Sequence, residues 1–240
     1  MTRASATGAA SHRWWSLLVL MVLVIAACSS LPAEKKNLGP FPIETLAMIP
    51  VQNMAAIYGG SRSVRNPLSG SVFVTGTVSD DAARFFEDTV YARIQALGRF
   101  RVLPPESTVG AMSSLTVTGS SPILDRNLWV ESGRALNVDG VLVCFLYRYH
   151  ERVGTRYAAA SPASVAFDLY LLRTQDGRVL WQGRFDETQR ALSENLMDFD
   201  KFIKRKGWIS ANDLALAGLD DLFDTLRNPP PASGTGKNDP

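Results

Sequence analysis

Apolar positions fall along the chain in three patterns: one unbroken run, several short strand-like stretches, and two amphipathic repeats. Residues 17–27, from Leu17 to Ala27, are uniformly apolar. After a polar interval, Leu46-Ala47-Met48-Ile49-Pro50-Val51 predicts a first strand with a proline near its end. A Gly/Ser/Asn-rich loop follows from Gly59 to Gly70, and Val72, Val74 and Val78 suggest a short extended segment. Ala83, Phe86, Val90, Ile94 and Leu97 recur at helical spacing, so residues 80–97 predict an amphipathic helix. Ser79, Asp80 and Asp81 suit its start and Gly98 its end. Phe100-Arg101-Val102-Leu103 reads as a second strand, stopped by Pro104-Pro105. Residues 105–113 suggest one short turn, and 124–136 a better helix. Residues 141–152, 165–172 and 179–185 predict three further strands, the last two joined by a Gln175-Asp176-Gly177 turn. Helices are expected near 198–206 and over 210–227. In the latter Leu214, Ala217, Leu219, Leu222, Phe223 and Leu226 face inward.

This order predicts an α/β (α+β) fold: a mixed sheet with an antiparallel C-terminal meander and helices packed on it. The meander is expected because the last connections are short. The single α/β domain spans 45–227. Residues 228–240 form a Pro/Gly-rich tail expected to be disordered, and no internal repeat is visible.

The first run reads as a secretory signal. Arg3 and Arg13 precede it, no acidic residue occurs before Glu34, and small residues close it. As a helix its eleven residues reach roughly 16 Å, against about 30 Å for a hydrocarbon core. A retained transmembrane anchor is the alternative, since the uncharged stretch runs from Trp14 to Ala33. Ile25-Ala26-Ala27-Cys28 resembles the lipobox of bacterial lipoproteins: a bulky apolar residue, two small residues, then cysteine. That resemblance implies cleavage between Ala27 and Cys28, a diacylglycerol on the Cys28 thiol and acylation of the new amine. Cysteine is needed there because its thiolate is the strong nucleophile. An ordinary signal peptide that ends near a cysteine is the plainer reading. With two or more chains the protein would be held stably on a membrane. Ser29, where an Asp tends to retain Gram-negative lipoproteins at the inner membrane, implies the outer membrane, with the body facing the periplasm. Residues 1–27 are thus the signal, and 28–44 a lipidated cysteine with a polar, extended tether.

Charge then narrows the partners. The chain has 25 Lys+Arg and 23 Asp+Glu; losing Arg3 and Arg13 leaves a net charge of zero. This gives no electrostatic case for nucleic acid. Cys144 is the one other cysteine. With Cys28 acylated it has no partner, and its apolar setting predicts a buried thiol.

The series of segments also resembles a domain shared by the curli-secretion lipoprotein CsgG, the penicillin-binding-protein activator LpoB and the N-terminal domain of TolB. The matching pieces are Ile49-Pro50-Val51, then Leu97-Gly98-Arg99-Phe100-Arg101-Val102-Leu103, then Ala135 to Val143, then Leu171 to Trp181. Cys144 stands where glycine is usual, and Gln175-Asp176 replaces a Thr-Gly context. The resemblance implies a CsgG/TolB-N-like fold and a role in assembling or regulating an envelope complex, through an envelope protein partner or a homo-oligomer.

Chemistry is sparse. Only His150 remains once His12 leaves with the signal, so no histidine-rich metal site can form, and a catalytic dyad would have to be built around it. It is expected at an exposed strand end. No cofactor, metal or catalytic residue is assigned. Gly234-Thr235-Gly236-Lys237 lacks the spacing of a phosphate loop. Lys201, Lys204, Arg205 and Lys206 read as a solvated basic face, with lipid head groups or an acidic partner as the sharper reading. Tyr147, Arg148, Tyr149 and Trp208 are candidates for a partner surface, because aromatics and arginine dominate interface hot spots; packing in the core or on the sheet face is their plainer role. The expected function is non-enzymatic partner binding in a cell-wall synthase or secretion/transport system. A subunit of an oligomeric CsgG-like pore and a periplasmic hydrolase are the alternatives.

Overall fold

The computed structural model describes residues 43–115, 124–154, 159–189 and 209–228. In chain order they form β1 (Thr45–Met48), β2 (Gln52–Asn53), α1 (Met54–Tyr58), β3 (Ser63–Arg65), β4 (Val72–Val74), α2 (Asp80–Ala96), β5 (Arg101–Leu103) and α3 (Pro105–Leu115). Next come α4 (Arg126–Ala135), β6 (Gly140–His150), β7 (Val153–Gly154), β8 (Ala159–Ser161), β9 (Ser164–Arg173), β10 (Val179–Thr188) and α5 (Ala211–Arg227).

The long apolar runs lie at the centre of a mixed sheet ordered β10-β9-β6-β1-β5. β1 is parallel to both β5 and β6, while β6, β9 and β10 form the antiparallel meander. The first predicted strand is split. Pro50 has no N–H to give to a ladder, so pairing stops after β1 and resumes at β2, parallel to the second half of β6. Between them the Val51 N–H donates to Glu87 Oε2 at 2.6 Å. The segment expected as a loop from 59 to 70 and an extended piece after it is instead a hairpin: β3 and β4 pair antiparallel. Residues 105–115 form a full helix rather than one turn. The helix expected near 198–206 lies outside the described residues.

Helix starts follow local chemistry. Ser79 caps α2 by accepting from the Ala82 N–H, and Ser210 with Asp213 forms a reciprocal capping box on α5. At the β9–β10 turn Gly177 adopts φ 68°, a left-handed conformation that favours glycine. Two arginines of α4 secure that turn: Arg126 donates to the Gly177 carbonyl, and Arg134 donates to those of Thr174 and Gln175.

Each sheet face buries its own core. Leu142, Cys144 and Leu146 pack with Phe86, Val90 and Ile94 of α2 and with Leu214, Leu219 and Phe223 of α5. Cys144 is fully buried there, which pushes its thiol pKa well up. Val141, Val143, Phe145 and Tyr147 face the other way, toward Met54 of α1, the β3–β4 hairpin and Trp129 of α4. Trp181 lies on the first face, stacked with Phe223 at 6.5 Å. Among the described residues no helix is long and apolar enough to cross a membrane.

Contact between α5 and β10 leaves no room at Gly218. A Cβ there would lie 2.6 Å from the Phe185 ring, and an aromatic ring cannot bend aside. Gly218→Val is expected to destabilise the fold by about 2 kcal/mol through overpacking. An unchanged urea midpoint would show that α5 does not seat against β10 in this way.

Candidate functional site

Asp168 sits in mid-β9 between Phe167 and Leu169, in a strand that is otherwise mainly apolar and aromatic. Strand alternation turns it toward the face covered by the β3–β4 hairpin, along with Ala166, Tyr170 and Leu172. It is 1% exposed. A carboxyl group so placed requires donors, since a buried polar group without partners is costly.

Three side chains supply them. The Tyr170 hydroxyl donates to Asp168 Oδ2 at 2.9 Å, and the Tyr147 hydroxyl, from the neighbouring β6, donates to Oδ1 at 3.2 Å. Asn66, in the connection between β3 and β4, donates through Nδ2 to Asp168 Oδ2 at 3.1 Å and to Tyr147 Oη at 2.8 Å. Its Oδ1 accepts from the Leu68 and Ser69 N–H groups at 2.6 and 2.9 Å. Ser69 Oγ lies 2.8 Å from Tyr170 Oη. As the single Tyr170 proton is committed to Asp168, the serine is the donor there. One buried carboxyl thus ties the hairpin connection to two central strands.

Aromatic stacking closes the network above. Phe73 of β4 lies on Tyr147 with ring centroids 3.9 Å apart and planes 7° apart, and the Arg184 guanidinium of β10 covers Phe73 at 4.2 Å. Arg148 clamps the same hairpin from the side. It pairs with Asp186 at 2.7 Å and donates to Ser164 Oγ at 2.5 Å and to the Val74 carbonyl at 2.9 Å.

Burial is the largest influence on Asp168 and pushes its pKa up to about 7, against the lowering effects of Tyr170, Tyr147, Arg184 and Asn66. Burial likewise raises Tyr147 and Tyr170, and the Asp168 charge adds to it. Both tyrosines remain neutral donors, so the group that can exchange a proton near neutrality is the aspartate. Among the described residues no group of three His, Cys, Asp or Glu is placed to hold a metal ion.

No protein-family model matches the chain, and no curated protein sequence matches it. Similar solved structures do exist. The PelC dodecamer from Paraburkholderia phytofirmans is 14% identical with a TM-score of 0.43, covering 83% of this chain and 94% of that one. The LpoB C-terminal domain from Salmonella enterica is 15% identical with a TM-score of 0.37, covering 63% and 88%. Lipoprotein GNA1162 from Neisseria meningitidis is 13% identical with a TM-score of 0.38, covering 68% and 97%. Similarity at this level is one of chain path and does not carry function across.

The residues expected on a partner surface are placed differently. Tyr147 and Tyr149 are buried and present no surface, so the partner-surface candidacy is corrected for them and the plainer role, packing in the core, holds. Both faces of the sheet are covered, so a tyrosine on either side of β6 is buried; a bulge, where the β6–β9 register shifts between Leu146 and Arg148, decides which face each takes. Strict alternation would put both tyrosines on one face. The extra residue sends Tyr147 to the hairpin side and Tyr149 to the side of α5, where its hydroxyl donates to Asn212 Oδ1 at 2.7 Å. Arg148 is largely covered by its three partners, and Trp208 lies outside the described residues, as do Ala27 and Cys28. His150, expected at an exposed strand end, is half-buried with Nε2 3.0 Å from Ser161 Oγ. Asp168 was not visible as a site in the sequence. The available signal was one acidic residue inside an apolar strand with a tyrosine two positions on.

Proposed function

We propose that this chain is a lipid-anchored envelope protein that acts by binding a protein partner, in the assembly or regulation of a cell-wall synthase or a secretion/transport complex. The observation that carries the reading is Ile25-Ala26-Ala27-Cys28 directly behind an apolar run with arginines upstream. Cleavage before Cys28 and acylation of its thiol would hold the body to a membrane on the tether 28–44, and Ser29 favours the outer membrane with the body facing the periplasm. A non-catalytic role is supported by the use made of the buried carboxyl: both Asp168 oxygens accept from side chains that fix the hairpin. The β3–β4 hairpin gives no support to a CsgG-like pore: its strands have three residues each, whereas a barrel-forming strand needs about 9–11.

The test is Cys28→Ala followed by envelope fractionation. The wild type is expected with the outer membrane in processed form. The variant is expected unprocessed and absent from that fraction. Identical size and distribution of the two proteins would defeat the reading.

A further inference from the structure

We infer that the outer face of the β3–β4 hairpin, with the end of α1, is a docking surface for an anionic phospholipid bilayer. This deepens the reading of a lipid-anchored protein, and rests on it, by naming the face turned to the membrane.

Two observations carry it. The first is an exposed apolar group in one place. Ile57, Tyr58, Val72 and Val74 are each 38–49% exposed. The Thr75 hydroxyl donates to the Gly59 carbonyl at 2.6 Å, and the Ser61 N–H donates to the Thr75 carbonyl at 2.9 Å. These bonds hold the end of α1 beside β4. The outward pairs of the hairpin are Ser63 with Val74 and Arg65 with Val72, so arginine and valine share a face. Tyrosine and arginine beside aliphatic side chains are the composition that settles at a headgroup boundary.

The second is charge. Residues 59–78 contain Arg62 and Arg65, both exposed, and no acidic residue. On the opposite sheet face α2 and α5 carry eight carboxylates against three arginines. A mature chain of zero net charge is therefore two-faced. A negative surface attracts the hairpin side and repels the helix side. The tether keeps the bilayer close: 14 residues separate Cys28 from Ile43, a reach of about 50 Å when extended.

A strand-like peptide partner fits this face less well. Val72 and Val74 direct their carbonyls away from β3, and Arg184 and Arg148 occupy them at 3.2 and 2.9 Å. The edge on which a strand would pair is closed. The buried Asp168 network keeps the hairpin in place, so the face is presented without reordering.

The test uses the full chain reconstituted in vesicles of phosphatidylcholine alone or with 30% phosphatidylglycerol. Side chains are labelled with hydroxyl radicals and read by mass spectrometry, and labelling is normalised to Tyr91 on α2. Labelling of Ile57 and Tyr58 is expected to fall about threefold on the anionic vesicles at low salt. The loss is expected to disappear in high salt, because screening shortens the reach of the attraction, and in Arg62→Glu/Arg65→Glu. Equal labelling on both vesicle types overturns the inference. So does protection without lipid that grows with protein concentration, which assigns the face to a second copy, or protection that requires added envelope proteins. Palmitate labelling of the same preparation reports the anchor separately. A protein that lacks acyl groups but shows lipid-dependent protection sinks the anchored reading and leaves this surface standing; an acylated protein without protection does the reverse.

Discussion

Phe73→Ala is expected to destabilise the protein by about 3–5 kcal/mol, the range for removing a fully buried aromatic ring. Phe73 is 1% exposed, stacks on Tyr147 and carries the Arg184 guanidinium on its outer side. Truncation removes the one aromatic side chain of the hairpin that enters the core, and it opens a cavity on the face of the Tyr147 ring. Water reaching that cavity would compete for the bonds among Asn66, Tyr147 and Asp168. The loss should therefore be local before it is global: amide exchange over residues 61–76 rises more than in β6 or β9. Phe73→Leu should recover part of the stability, since it refills volume without the stack. Urea unfolding and exchange on the three proteins check this. A loss below ~1 kcal/mol for Phe73→Ala would mean the hairpin is not seated on the sheet as described.

The second large effect is a pH dependence centred on Asp168. Its folded-state pKa of about 7 lies above the ordinary carboxylate value. The native state thus holds a proton in a range where the unfolded chain has lost it. Stability is fully present below the unfolded value, about 3.9, and falls as pH rises through 7. A difference of about three pK units corresponds to a decline on the order of 4 kcal/mol. Glu87, also raised, chiefly by burial, slopes the same way. The difference between wild type and Asp168→Asn isolates the aspartate. The asparagine variant should be clearly less stable than wild type near pH 5, where its NH2 brings two donors against those of Tyr147, Tyr170 and Asn66 in place of the single O–H of the protonated acid. Near pH 8 the gap should shrink, because the wild type then buries a charge. Urea midpoints at both values decide it. Parallel pH profiles would show that Asp168 is already ionised at pH 5.

These two effects arise where the sequence was hardest to read. β6 was legible from its unbroken apolar run Val141–Tyr147, β9 from apolar stretches of three and four residues on either side of Asp168, β10 from Val179-Leu180-Trp181 behind a turn signal, and α2 because its apolar positions keep the helical period. The hairpin was not. Val64 is a single apolar residue between Ser63 and Arg65, Val72-Phe73-Val74 is apolar throughout and so shows no inward and outward side, and three-residue strands are too short to show alternation. What buries Val64 and Phe73 is the sheet face beneath, which no local pattern encodes. The Asp168 site was illegible for a related reason. Its partners come from three separate stretches, at Asn66, Tyr147 and Tyr170, and meet only through the β6–β9 pairing and the hairpin fold. The tyrosines of β6 were nominated by residue type alone, and residue type does not show that both faces of this sheet are covered.

The buried latch and the exposed face belong to one element. Asn66 and Phe73 fix the hairpin from within, while Val72, Val74, Arg62 and Arg65 are carried outside it. A domain held to a bilayer by a tether has use for such a fixed face, and the N-terminal chemistry decides whether it is so held. The direct measurement is the mass of the N-terminal peptide of the protein isolated from its own membranes. The account predicts a chain that begins at Cys28 and carries a diacylglyceryl group on its sulfur and an acyl group on its amine. A chain that begins elsewhere, or one with an unmodified Cys28, would contradict it.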